Sequence, residues 1–296
     1  MTKIIAHRGA RSIGPENSIA AAEIARLIQA DLWETDVTVT RDGHLILFHD
    51  DDLLRTTDVL EKFPDRKSFE VDKFDLSEIL MLDIGTTFIR NDPFGEIGAG
   101  NVSSQSLEAF KGEKIPTLEE ALNYTKKTGW KVNLELKQHS PNQSKQDAST
   151  FNDFRNNRLP KMVINMIRKL NIPPELMVIS SFNHIWLKEV QTLFPEIEIQ
   201  PLLGDDYDKT IDWTQIFSGN PTSDNMAFLC SGSLNFDTYN INSTMITVDE
   251  IAELKKMGKK VNLFTINNKD DMVKYINAGV DGIFTDYPQV MKTLLC

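Results

Sequence analysis

Cysteine is nearly absent, with only Cys230 and Cys296 in 296 residues. That excludes a disulfide framework and a cysteine-based zinc site. Long apolar runs are missing too. None approaches the roughly 20 residues that a membrane helix needs. Basic charge is not in excess, since 32 Lys+Arg against 43 Asp+Glu leave a net charge of −11. A nucleic-acid partner, which needs clustered Lys and Arg, is therefore not expected. The segment Met1–Arg8 is already charged and lacks an apolar stretch of signal-peptide length. The expected location is the cytoplasm. No internal repeat or low-complexity tract interrupts the chain. What is present is 41% hydrophobic and 25% charged residues, the composition of a folded globular chain.

Short apolar runs alternate with amphipathic stretches, the order of βα units around a parallel sheet. The runs are Lys3–His7, Leu32–Thr40, Lys131–Lys137, Met177–Phe182, Ile197–Leu203, Leu234–Asp237, Lys260–Asn267 and Gly282–Thr285. The second continues through Arg41-Asp42-Gly43 into His44–His49, and Asp-Gly between β-rich runs signals a hairpin. If Thr40 faces His44, paired numbers sum to about 84, and His49 returns to the level of Glu34 and Asp36. A helix is expected from about Ser18 to Ala30, with Asn17 as its N-cap. Thr117–Glu120 and Thr247–Glu250 read as capping boxes, with Gly258 and Gly279 at helix ends. Eight such units predict an α/β fold, a closed (β/α)8 TIM barrel. Residues 1–296 are read as one domain. The segment at about 56–114 has no clean βα unit and is read as an insertion subdomain over the top of the barrel, its phenylalanines forming a small core. Gln138–Arg158 reads as a second polar loop.

In such a barrel, active-site groups sit at the C-terminal strand ends. His7 and Arg8 end the first strand. Glu34 and Asp36 are two apart, so alternation puts both on one face. Buried together they would repel, and a cation between them removes the objection. Hard oxygen ligands suit Mg²⁺ or Ca²⁺. Glu135 and Lys137 share a face on the third strand, and His49 comes back beside them through the hairpin. Three carboxylates make a hard-metal site. Arg8 and Lys137 would neutralise a phosphate. Two imidazoles would supply a general acid and a general base. Together these describe phosphodiester cleavage, with the identity of the base left open.

The same residues resemble the glycerophosphodiester phosphodiesterase family. The resemblance runs through His7-Arg8-Gly9, Pro15-Glu16-Asn17, Trp33-Glu34-Thr35-Asp36, His49-Asp50, Leu54-Arg55-Thr56-Thr57, Gly112–Leu122, Glu135-Leu136-Lys137 and Gly279–Pro288. It implies a TIM barrel that hydrolyses a small-molecule glycerophosphodiester to glycerol 3-phosphate and an alcohol. By the same resemblance, Glu34, Asp36 and Glu135 hold one divalent cation, Mg²⁺ or Ca²⁺. His7 and His49 are the acid–base pair, and Arg8 and Lys137 contact phosphate. Phe182 and Phe264 stand at strand ends, where they would wall the substrate pocket, and Asp281 and Asp286 are read as organising the eighth strand and its turn. The family often has Gly where Gln29 stands, Thr at Ser18 and Trp at Phe264. The nearest alternative is a lysophospholipase D-like or sphingomyelinase D-like enzyme using the same residues on lipid substrates. The headgroup alcohol and the oligomeric state are not legible.

Overall fold

The computed structural model describes residues 1–137, 158–204 and 236–295. Its strands are β1 (Lys3–Ala6), β2 (Leu32–Val39), β3 (Leu45–Leu47), β4 (Val132–Leu136), β5 (Met177–Ser181), β6 (Glu198–Leu203), β7 (Thr238–Asn242), β8 (Lys260–Phe264) and β9 (Gly282–Thr285). All but β3 are parallel neighbours, and β1 pairs with both β2 and β9, which closes the barrel. β3 returns antiparallel on β2, with Val37 opposite Leu47 and Val39 opposite Leu45. That is the register expected from the turn. Gly43 holds φ +84° with open space around its α-carbon, as the left-handed position of a short hairpin loop requires.

Strand alternation sorts the residues. One face of each strand packs outward on the helices, through Ile4, Trp33, Leu134, Ile179, Leu203, Ile241, Leu263 and Ile283. Trp33 is fully buried and stacks on Trp130 at 6.5 Å, with Tyr124 edge-on at 6.3 Å. The other face fills the barrel. Ile5, Leu32, Val178 and Phe284 form an apolar plug there. Polar side chains share the interior, with Asn240 accepting from Asn262 at 2.9 Å. Gly9, at φ +83°, lets the first βα loop lie flat on its helix, because a Cβ there would meet Ala21 at 2.7 Å. Both capping boxes form, at Thr117/Glu120 and Thr247/Glu250.

Two expectations need correcting. The seventh strand is Thr238–Asn242, not Leu234–Asp237. Phe236 and Asp237 lie outside any strand, and Leu234 falls outside the described residues. Thr238, Asn240 and Asn242 alternate with Tyr239 and Ile241, and their polarity masks the strand. The first helix is Ile19–Leu27, and its N-cap is Ser18, whose hydroxyl accepts from Ala21 N at 3.0 Å. Asn17 goes elsewhere, as described below. The loop expected at Gln138–Arg158 lies outside the described residues except Arg158, as do Cys230 and Cys296.

Between β3 and the helix Leu118–Thr128 the chain makes short helices around two apolar clusters. Leu53, Val59, Val71, Phe74, Ile79, Leu82 and Ile84 pack on Ile46 and Phe48 of the hairpin arm. Phe88, Val102 and Phe110 pack against Ile13, Ala20 and Ile24 of the barrel. Phe63, Phe69 and Phe74 join the first cluster and Phe88 and Phe110 the second. Phe94 departs from that pattern: its ring meets Tyr287 edge-on at 5.8 Å with the Arg11 guanidinium 5.2 Å away. Among the described residues no helix is long and apolar enough to cross a membrane.

Candidate active site

The carboxylates meet because of strand register. Glu34 and Asp36 share the inner face of β2, and Glu135 on β4 stands level with Asp36. One carboxylate oxygen from each lies within 4.8 Å of the others. Glu34 and Asp36 are buried, at 2% and 1% exposure. Burial, and then the adjacent Asp36 and Glu135, lift the Glu34 carboxyl well above the usual range. Burial opposes ionisation of Asp36 as well, but Arg8 and Lys137 hold it below the carboxylate range. The Arg8 backbone N–H donates to one Glu34 oxygen at 2.9 Å, while the other is buried without a hydrogen-bond partner. A hard-oxygen donor set with an unpartnered buried oxygen and mutual repulsion fits a divalent cation.

Asn17 explains part of this placement. Its amide donates to Asp36 at 2.9 Å, while its oxygen accepts from Thr35 Oγ1 at 2.8 Å and Asp36 N at 3.1 Å. Both Asn17 and Arg8 adopt left-handed backbone, at φ +55° and +52°. Such strain persists only where surrounding contacts impose it. The Arg8 guanidinium sits 3.2 Å from Asp36. Lys137 Nζ donates to Glu135 at 2.9 Å and lies 3.7 Å from Asp36. Burial works against the Lys137 charge, but Glu135 and Asp36 outweigh it and keep the ammonium raised.

Each imidazole is held by a carboxylate. His7 Nδ1 is 2.7 Å from Asp286 Oδ1, and His49 Nδ1 is 2.6 Å from Asp50 Oδ1. With Nδ1 facing its carboxylate, each ring leaves Nε2 to face the site, where a neutral ring offers a lone pair and a protonated one a proton. Burial lowers the His7 pKa, the neighbouring Arg8 adds to this, and Asp286 opposes without reversing it. Asp286 itself would rise by burial, yet the His7 and Arg11 contacts keep it at about 2. Asp50 is likewise at about 2, held against burial by His49 and Arg55.

A belt of ion pairs joins these two dyads. Arg11 reaches Asp286 at 3.4 Å and Glu16 at 2.8 Å. Glu16 also accepts from Arg8 at 2.9 Å and from Arg55 at 2.7 and 2.8 Å. Arg55 closes on Asp50 at 2.6 and 2.9 Å. Burial notwithstanding, Arg55, Arg8 and Arg11 hold Glu16 well below the carboxylate range. Sequence reading gives Arg11, Glu16, Asp50 and Arg55 no role, and assigns Asp286 to the eighth strand and its turn. In the structure Asp281 does that work, accepting from Val261 N at 2.9 Å. Asp286 instead faces His7, with Asn267 donating to it at 2.7 Å. The available signal is that Asp286 follows β9 directly, as His7 follows β1.

Phe182 and Phe264 lie at the ends of β5 and β8 and meet edge-on at 6.0 Å. The Phe182 ring rests on Gly204, where a Cβ would come within 2.5 Å. Beyond the belt, a cavity of about 130 Å³ opens between insertion and barrel, lined by Arg11, Glu16, Arg55, Ile84, Phe88 and Phe94.

A parallel barrel with buried carboxylates, cations and two His–carboxylate pairs at its C-terminal strand ends has the parts of a hydrolase for anionic substrates. Comparison with known proteins narrows the class. The model of the glycerophosphoryl diester phosphodiesterase family matches residues 7–290, and the chain belongs to that family of phosphoric diester hydrolases. It is 32% identical over 296 residues to a glycerophosphodiester phosphodiesterase of Caldanaerobacter subterraneus, covering 99% of this chain and 98% of that one. A Bacillus subtilis glycerophosphodiester phosphodiesterase is 26% identical, over 97% of this chain and 84% of its own. A phosphodiesterase of Oleispira antarctica, solved with its product sn-glycerol-3-phosphate, superposes with a TM-score of 0.74. That match has 25% identity and covers 100% of this chain and 97% of the other.

Proposed function

We propose that this protein hydrolyses glycerophosphodiesters to glycerol 3-phosphate and an alcohol, with one divalent cation, Mg²⁺ or Ca²⁺, held by Glu34, Asp36 and Glu135. The observation that carries this reading is the convergence of those three carboxylates within 4.8 Å, with Arg8 and Lys137 beside them. When bound, the cation supplies charge stabilisation at a non-bridging phosphate oxygen. Arg8 and Lys137 bind the phosphate and add positive charge as negative charge builds in the transition state. His7, neutral and with its Nδ1–H donating a hydrogen bond to Asp286, offers Nε2 as the general base. His49, oriented by Asp50, protonates the leaving alcohol. The proton taken by His7 comes from water, or from the neighbouring glycerol hydroxyl, whose attack forms a cyclic phosphate that water then opens to glycerol 3-phosphate. Phe182 and Phe264 wall the substrate pocket. In this reading residues 1–296 form one catalytic domain, with the 56–114 insertion beside the mouth of the site.

The test is release of glycerol 3-phosphate from glycerophosphocholine and glycerophosphoethanolamine, with Mg²⁺, with Ca²⁺ and with chelator. Release that needs a metal is the expected result. Absence of release with either metal, alongside cleavage of lysophospholipid, would replace this reading with a lipid-directed one.

A further inference from the structure

We propose that Arg55 is a positioning residue for the hydrolysis. It fixes His49 relative to His7 by bridging the carboxylates of Asp50 and Glu16. The inference rests on the proposed acid–base roles of those histidines.

The two imidazoles are anchored very differently. His7 directly follows a barrel strand, its backbone N–H donates to Thr285 O at 3.1 Å, and its side chain is 15% exposed. His49 lies past the end of β3, just beyond the last ladder hydrogen bond, Phe48 N to Asp36 O at 3.0 Å. Its side chain is 32% exposed. Asp50 therefore has to be held from outside the sheet if it is to aim His49. Arg55 does this with its whole fork, as Nε and Nη2 grip Asp50 while Nη1 and Nη2 grip Glu16. Glu16 belongs to the first βα loop of the barrel and is tied there by Arg8 and Arg11. Arg11 continues to Asp286 and so to His7. Charge alternates along the belt, so every carboxylate meets a guanidinium or an imidazolium-capable ring.

A purely structural role is a poor account of Arg55. Its side chain is 43% exposed, and ion pairs that reach solvent add little to folding stability. The apolar cluster around Leu53, Val59 and Phe74 holds this segment without it. What Arg55 uniquely supplies is orientation. A bidentate guanidinium fixes carboxylate direction, which an ammonium cannot do for two carboxylates at once. Misplacing a reacting group by about 1 Å can cost on the order of 100-fold in rate.

The experiment compares Arg55→Gln, Arg55→Lys, Asp50→Asn, the Arg55→Gln/Asp50→Asn double variant and His49→Ala, on glycerophosphoethanolamine with saturating metal. For Arg55→Gln the expected result is a kcat loss on the order of 10- to 100-fold with KM nearly unchanged. Its thermal midpoint should stay close to wild type. Arg55→Lys should recover part of kcat. The double variant should be little worse than Asp50→Asn, because both substitutions act through one side chain. Wild-type kcat in Arg55→Gln, with His49→Ala inactive, overturns the proposal and leaves the acid–base reading intact. Full activity in His49→Ala overturns that reading itself. A rise in KM alone, or fully multiplicative losses in the double variant, would make Arg55 a substrate contact or an independent structural element, and either overturns the proposal.

Discussion

The two histidine dyads are chemically alike and mechanically unlike. His7–Asp286 is built from residues that directly follow β1 and β9, and Asn267 and Arg11 brace its carboxylate. His49–Asp50 stands on a hairpin arm that leads into the insertion, and Arg55 braces its carboxylate from solvent's edge. One half of the proposed acid–base machinery is thus fixed by the barrel's backbone ladder. The other half depends on a turn, a side-chain belt and a small separate apolar cluster.

The largest test of this contrast is removal of the rings. His7→Ala and His49→Ala should each lower kcat by at least about 100-fold, read in the glycerol 3-phosphate assay. Comparable losses would make the dyads equal chemical partners despite unequal anchoring, and near-normal activity in either would remove that ring from the mechanism. Glu34→Gln should weaken metal binding, read by calorimetric titration, with the barrel's circular dichroism unchanged. An unaltered titration would remove Glu34 from the ligand set.

The dyads should also separate by pH. His7 has a pKa lowered from 6.5 by burial and Arg8, and it must be neutral to act as a base. The acid limb of kcat/KM should therefore lie below pH 6.5, because a lower pKa keeps the ring neutral in more acidic solution. Asp286→Asn removes an interaction that raises His7, so the limb should move to still lower pH while kcat drops. A limb that moves upward would contradict the assignment. Stability carries the matching sign. Asp286 is depressed from 3.8 to about 2, so its contribution is complete above pH 3.8 and fades as pH falls towards 2.

Packing gives the next contrast. Phe74 is fully buried in the insertion cluster, edge-on to Phe63 at 5.4 Å and under Arg66 at 4.3 Å. Phe74→Ala should cost about 3–5 kcal/mol. Limited proteolysis should then cut within residues 50–115 before the barrel opens. Loss of the barrel and insertion in one step would show that the two regions fold as one unit. The smallest effect belongs to Gln29, which sits at φ +65° just past the first helix. Gln29→Gly should raise stability by up to about 1 kcal/mol, since left-handed backbone strains any side chain. The melting temperature checks this, and a fall would mean that the Gln29 side chain contributes more than its backbone costs.

The barrel was legible from sequence wherever inward residues were apolar or chemically conspicuous. Glu34, Asp36, Glu135 and Lys137 advertise themselves by a spacing of two, and strand alternation then fixes their common face. β7 was misplaced because its inward positions are Thr238, Asn240 and Asn242, which resemble a loop when read along the chain. Asn17 looked like a cap because it precedes a helix. Its side chain turns back to Asp36 because its own left-handed backbone points it there. The belt was hidden for a different reason. Arg11 and Glu16 share one loop, but Arg55 and Asp286 lie far from them in sequence, and only the folded chain brings their ends together. Gln29 reads as a mild departure from a family that often has Gly at this position, and its positive φ supplies the physical reason for that glycine.

The hairpin turn has one more consequence. Arg41-Asp42-Gly43 is exposed and touches no reacting group, yet it works as a ruler. Side chains on the return arm alternate inside and outside, so a single residue added to or deleted from the turn would put Phe48 or Asp50 where His49 now points. Adding two residues would restore the alternation but move the ring by roughly 7 Å along the strand. Most surface turns forgive insertions. This one counts residues on behalf of an imidazole some distance away, and its length is as tightly constrained as the identity of the histidine it measures out.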